Sequence, residues 1–151
     1  MKAAIIIPVL LLSALFLGNT PDPKVLRENF TLAPNDKKIC QSMIAALKVS
    51  QQPLDIAYLG AFQTMWAKHV GNPFTKLKSF NAGKQNIEKA VHLSPTDVEI
   101  VFIRHAVQQN SPAFLGYKDD IERDRDFLYS HLHEVRSGLL RARIEELLKE
   151  N

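Results

Sequence analysis

Apolar residues recur at intervals of three and four along most of the chain, and that period predicts helix after helix. In "NDKKICQSMIAALKVS", Ile39, Met43 and Leu47 fall at i, i+4 and i+8, behind a cap expected at Asn35. "PLDIAYLGAFQTMWAKHV" opens with Pro53, a residue favoured at the first helical position, and repeats Ile56, Leu59, Phe62 and Trp66 on one stripe. Trp66 is therefore expected to be largely buried. "GNPFTKLKSF" breaks the pattern at Gly71 and Pro73. A helix follows whose inner face is Phe80, Gly83, Ile87, Ala90 and Val91, then another from about Pro95 to Asn110. After the break "SPAFLGY", Ile121, Leu128 and Leu132 mark one more helix, and Leu140, Ile144, Leu147 and Leu148 mark the last. No alternating apolar run bounded by turn residues occurs, so the fold class is all-α: about five to six helices in antiparallel hairpins.

The N-terminus departs from this rhythm. "MKAAIIIPVLLLSALFLG" carries Lys2 and then an apolar run from Ala3 to Leu17, in the range of an export signal and short of a comfortable membrane span. Small residues occur at Ser13, Ala14 and Gly18 without a clean cleavage pair, so a cleaved signal is favoured and an uncleaved anchor stays open. No cysteine follows the run, which excludes a lipoprotein anchor at that position. Residues 19–34, with three prolines and no sustained period, read as a linker. The organisation is thus 1–18 signal or anchor, 19–34 linker and 35–151 a single helical domain, exported and best placed in the periplasm.

The 151 residues suffice for one domain with its own core. A net charge of +3 comes from interleaved signs, as in "KDDIERDRDF" and "RARIEELLKE", which argues against a nucleic-acid surface. The single cysteine, Cys40, permits no internal disulfide; on its helical pattern it reads as a small buried hydrophobe rather than a reactive thiol.

The stretch "GKQNIEKAVHLSP" places Gly83, Ile87, Ala90 and Pro95 where two helix axes approaching closely would need short side chains, an apolar contact and a stop. With Leu59–Gly60 in the helix before it, this spacing resembles a degenerate tetratricopeptide repeat over about residues 54–110. The resemblance implies a right-handed α-α stack. It departs from a repeat of about 34 residues in a connection lengthened from about Ala67 to Phe80, and in Arg104 and His105 where a second leucine-glycine pair belongs. The longer stretch from Gly83 to Tyr117 is also similar to a group of uncharacterised exported bacterial proteins, a likeness that carries no activity with it.

Candidate chemistry is sparse. On a wheel at about 100° per residue, Glu99 falls inside an apolar arc; "TDVE" gives it capping-box spacing from Thr96, the reading preferred over a functional carboxylate. Arg104 faces the acidic start of the next helix, where an ion pair with Asp119, Asp120 or Asp124 is expected, an anion-binding arginine being the alternative. His131 and His133 are two apart, the wrong spacing for a helical metal pair, and neither H-E-x-x-H, G-x-S-x-G nor a phosphate-cradling loop occurs. The expectation is no catalysis, no metal and no cofactor.

Two functional classes remain. The first is an interaction module for a peptide or protein partner. The repeat resemblance implies a lining of Leu54, Ala57, Ala61, Phe102 and Ala106, a strip that the chain's own termini would turn into plain core if they covered it. The second is a small enzyme or small-molecule binder built on the polar cluster Arg104, His105, Tyr117 and Asp120. No nucleic acid is implied, and a membrane only through the N-terminal segment.

Overall fold

A computed structural model describes residues 20–150. The segment 1–18, read as signal or anchor, lies outside the described residues. Those described form seven α-helices with no strand, and none of these helices is long and apolar enough to cross a membrane.

The first helix, α1 (Pro23–Leu32), occupies the stretch read as a linker. Its start has a local cause: Asp22 accepts from the Lys24 amide at 2.7 Å, and Pro23 stands at the first helical position, where no amide donor is needed. Leu26, Phe30 and Ala33 then supply a short apolar stripe, with Leu26 and Ala33 fully buried. In α2 (Lys37–Leu47) the cap is Asp36 rather than Asn35, accepting from the Lys38 and Ile39 amides at 2.9 and 3.0 Å.

The centre of the molecule is the hairpin of α3 (Pro53–His69) and α4 (Pro73–Leu93), the most extensive packing between elements. Only Val70 to Asn72 separate the two, so the expected lengthened connection is absent. Asn72 accepts from the Phe74 and Thr75 amides and Pro73 follows it, so the signals that break α3 also restart α4 at once. The axes touch at two glycines. A Cβ on Gly60 would lie 2.6 Å from the Gly83 carbonyl oxygen, and one on Gly83 would collide with the Gly60 carbonyl and come within 2.8 Å of the Thr64 amide nitrogen. Backbone on both sides leaves no flexible group to yield. The face Phe80, Gly83, Ile87 and Ala90 is buried as expected, and Val91 is half-buried.

Every residue of α3 from Asp55 to Phe62 is buried, because α1, α2, α4 and α5 pack around it. Fully burying a side chain such as Phe62 contributes about 1.5–3 kcal/mol. Trp66, near the end of the same helix, is only half-buried; its ring meets the Lys37 ammonium 5.5 Å from the centroid and packs beside His69.

The second central helix is α5 (Val98–Asn110), buried without interruption from Glu99 to Gln108. The polar Arg104 and Gln108 are therefore inside, with α6 (Ile121–His131) and α7 (Gly138–Lys149) packed on α5 and on each other. Two short 3₁₀ turns, Ala113–Leu115 and Leu132–Glu134, make the remaining connections. The cap of α5 is Asp97, which accepts from the Glu99 and Ile100 amides at 2.9 and 3.1 Å. Glu99 does not form the capping box with Thr96; its carboxylate goes to distant partners.

Candidate functional site

Two kinds of site emerge: buried ionic clusters along α5 and an apolar groove beside it. In the first cluster Arg104 grips Asp124 of α6 through both forks of its guanidinium, Nε to Oδ2 at 2.7 Å and Nη2 to Oδ1 at 2.5 Å. Its Nη1 reaches Glu88 of α4 at 3.3 Å and Asp120 at 3.5 Å, and the Tyr117 hydroxyl donates to the other Glu88 oxygen at 2.7 Å. Three of the four proposed cluster residues, Arg104, Tyr117 and Asp120, thus share one network, with Asp124 and Glu88 as its remaining acids. The ion pair expected from the sequence is formed, with Asp124 as its main partner and Asp120 behind it. Glu88 went unrecognised, though it stands on the helix before Arg104 and only the fold brings the two together.

Burial works against the charge on Arg104, but the hydrogen bonds and charge of Asp124, with Glu88 and Asp120, more than reverse that and hold the guanidinium above its ordinary value. Tyr117 is also pushed up, by burial first and then by Glu88, so its phenol stays protonated. Neither group is poised to move a proton near neutral pH. His105, the fourth proposed member, stands apart: it is fully buried and its two ring nitrogens have no hydrogen-bond partner. Burial, with the charge of Arg125, lowers its pKa, while Asp124 and Glu122 partly oppose, so the imidazole stays neutral.

The second cluster centres on Glu99. Arg27 of α1 donates Nε to Oε1 at 2.8 Å and Nη2 to Oε2 at 2.7 Å, and the Tyr58 hydroxyl of α3 donates to Oε1 at 2.6 Å. The hydrogen bond and charge of Glu99 raise Arg27; burial, then Glu99, raises Tyr58. Cys40 is buried with its Sγ 3.2 Å from the Phe62 carbonyl oxygen, and burial pushes the thiol up to about 11, far from a reactive thiolate. Among the described residues no three histidine, cysteine, aspartate or glutamate side chains converge as metal ligands would.

The groove lies where the ends of α1, α3 and α5 meet the first half of α4 and the last turns of α7, enclosing about 860 Å³. Its walls include Phe30, Met65, Phe80, Phe102, Ala106 and Leu147, and at its mouth stand Leu77 and Phe114. Phe114 is 86% exposed and Leu77 49%, while Phe74, one turn before Leu77 on α4, is 84% exposed. A single exposed hydrophobe is ordinary; two in the lining of one apolar cavity, with a third a turn away on α4, are of the kind that marks a contact surface.

Of the strip expected to line a partner groove, Phe102 and Ala106 line this cavity. Leu54, Ala57 and Ala61 do not. Ala57 and Ala61 are fully buried and Leu54 packs on the core, since α1 and α2 cover that face of α3 through contacts such as the edge-on Phe30–Tyr58 pair. The covered-strip alternative holds for the α3 half. None of Arg104, His105, Tyr117 and Asp120 lines the groove, so the polar cluster and the cavity are separate places.

No family model matches this chain, and no curated protein or solved structure matches it either.

Proposed function

We propose that this chain is a non-catalytic interaction module, exported to the periplasm, that holds a peptide or protein partner in the groove between α3, α4, α5 and α7. The observation that carries this reading is the pair of exposed apolar side chains in the cavity's own lining, Phe114 and Leu77. A small molecule sunk in the cavity would leave them wetted; a protein segment laid across it would cover them. The α3–α4 hairpin is taken as a single tetratricopeptide-like unit, supported by the Gly60–Gly83 approach where that repeat's small residues fall. The alternative, a small enzyme or small-molecule binder at Arg104 and Tyr117, has less support because those groups are already satisfied by one another and lie away from the cavity.

A photo-crosslinking residue in place of Phe114, in the full chain in its native envelope, tests the docking reading. The expected outcome is a discrete protein adduct that disappears in Leu77→Asp and is not formed from the exposed position His92. Adducts of equal yield from both positions, or none, would overturn it. Export is tested by N-terminal sequencing of the native protein: a cytosolic product starting at Met1 would sink that part.

A further inference from the structure

The wall formed by α3 and α4 has an unusual charge. Between Asp55 and Glu88 the sequence contains four lysines, Lys68, Lys76, Lys78 and Lys84, and no acidic residue. Lys68 and Lys76 line the groove, and among the described residues neither forms an ion pair. The facing wall on α7 carries Arg143 and Glu146, paired with each other at 3.0 Å, and Glu150. Among the described residues of the lining, two unpaired lysines thus stand against one unpaired acid, Glu150. An occupant of the apolar floor meets positive potential along one flank.

The backbone of that occupant is constrained as well. The described residues hold no strand, so no sheet edge is offered to an extended peptide. An extended segment needs a partner for every amide and carbonyl it buries, and the few polar side chains of the lining, such as Thr31, Lys68, Lys76 and Asn110, form no regular row of them, whereas a helix satisfies its own. Helical walls and an apolar floor accept a helix laid by its apolar stripe.

We infer that the groove's partner is an amphipathic α-helix whose apolar stripe is flanked by acidic residues on the side facing Lys68 and Lys76. This rests on the docking reading above and specifies the chemistry of the partner. Synthetic helix-forming peptides of about 18 residues, with one leucine stripe and either glutamate, glutamine or lysine flanks, are the probes, titrated against the full chain by calorimetry.

The acidic-flanked peptide should bind about tenfold or more tighter than the basic one. That preference should shrink with added salt and vanish in the double variant Lys68→Gln, Lys76→Gln. Phe114→Ala, at an exposed position the fold does not need, should weaken all peptides alike. If the three peptides bind equally and Phe114→Ala weakens each, docking stands and the acidic-helix inference falls. If none binds, the docking reading itself fails. Tight binding to phosphatidylglycerol vesicles with none to the peptides would assign the lysine wall to a membrane surface and overturn the inference.

Discussion

The two ionic clusters on α5 use the same three side-chain types with the roles reversed. At Glu99 the helix supplies the acid, and α1 and α3 bring the arginine and the tyrosine. At Arg104 it supplies the base, and α6, α4 and the segment before α6 bring three acids and a tyrosine. The difference is depth. Arg27 keeps 22% of its side chain exposed, whereas Arg104 keeps 5% and Asp124 only 2%. With Arg27 gone, water that already reached its side chain can reach Glu99, whereas Asp124, sealed under α6, has no such path. Similar hydrogen bonds therefore have different consequences when broken.

The largest effect should come from the deep site. Arg104→Met leaves Asp124 buried without a cation and close to Glu88 and Asp120, and should cost about 3–5 kcal/mol, read as a fall in denaturant midpoint. A loss below about 1 kcal/mol, the scale of a surface pair, would break the comparison. An uncharged contact calibrates it. On an open helix face Gly83→Ala would stabilise by about 1 kcal/mol, but against the Gly60 carbonyl it should destabilise, toward the upper end of about 1–3 kcal/mol, and Gly83→Leu should cost more. Thermal melts of both variants at or above the parent would remove the helix crossing as a support of the fold.

Arg27→Met should cost less than Arg104→Met, about 1–2 kcal/mol, because Glu99 keeps the Tyr58 hydroxyl. Equal losses at the two arginines would mean depth is irrelevant. The smallest effect concerns His105. The unfolded chain takes up a proton near the ordinary 6.5, while the folded chain resists it to lower pH. The unfolded state thus binds more protons in that interval, and stability should fall as pH drops below the ordinary value. His105→Leu should abolish this part of the acid sensitivity and, by removing two unpaired nitrogens, raise neutral-pH stability by about 1 kcal/mol. An unchanged acid limb in parallel denaturant series would exclude His105 as its source.

What was legible in the sequence was local. The inner face of α4 could be read because its small and apolar residues keep helical spacing, and Arg104's pairing because acids crowd the start of the next helix. Glu99 was misread for the same reason: "TDVE" offers a nearby explanation, while its true partner Arg27 lies 72 residues earlier. Arg27 stood in a stretch whose prolines suggested a linker, although Asp22–Pro23 is also a helix start. Ala57 and Ala61 were expected to face a ligand because repeat register puts them on one side. Burial on every side of α3 leaves no such side; the signal for it was present in Ile56–Phe62, apolar all round, as a helix surrounded by neighbours is. The groove itself needs five helices to meet, and only Phe102 and Ala106 of its walls were foreseen.

The reversed pair of clusters also fixes the setting of α5. Glu99 and Arg104 are five positions apart, so they project about 140° from each other around the axis and about 7.5 Å along it. One pin ties the helix to α1 and α3, the other to α4 and α6, and their polarities are opposite. A slip of α5 by one residue would turn both by about 100° and would put neither an acid before Arg27 nor an arginine before Asp124. The helix therefore has one seating, like a key with two wards cut at different depths. The groove wall carried by Phe102 and Ala106, between and just beyond those pins, is held where it stands.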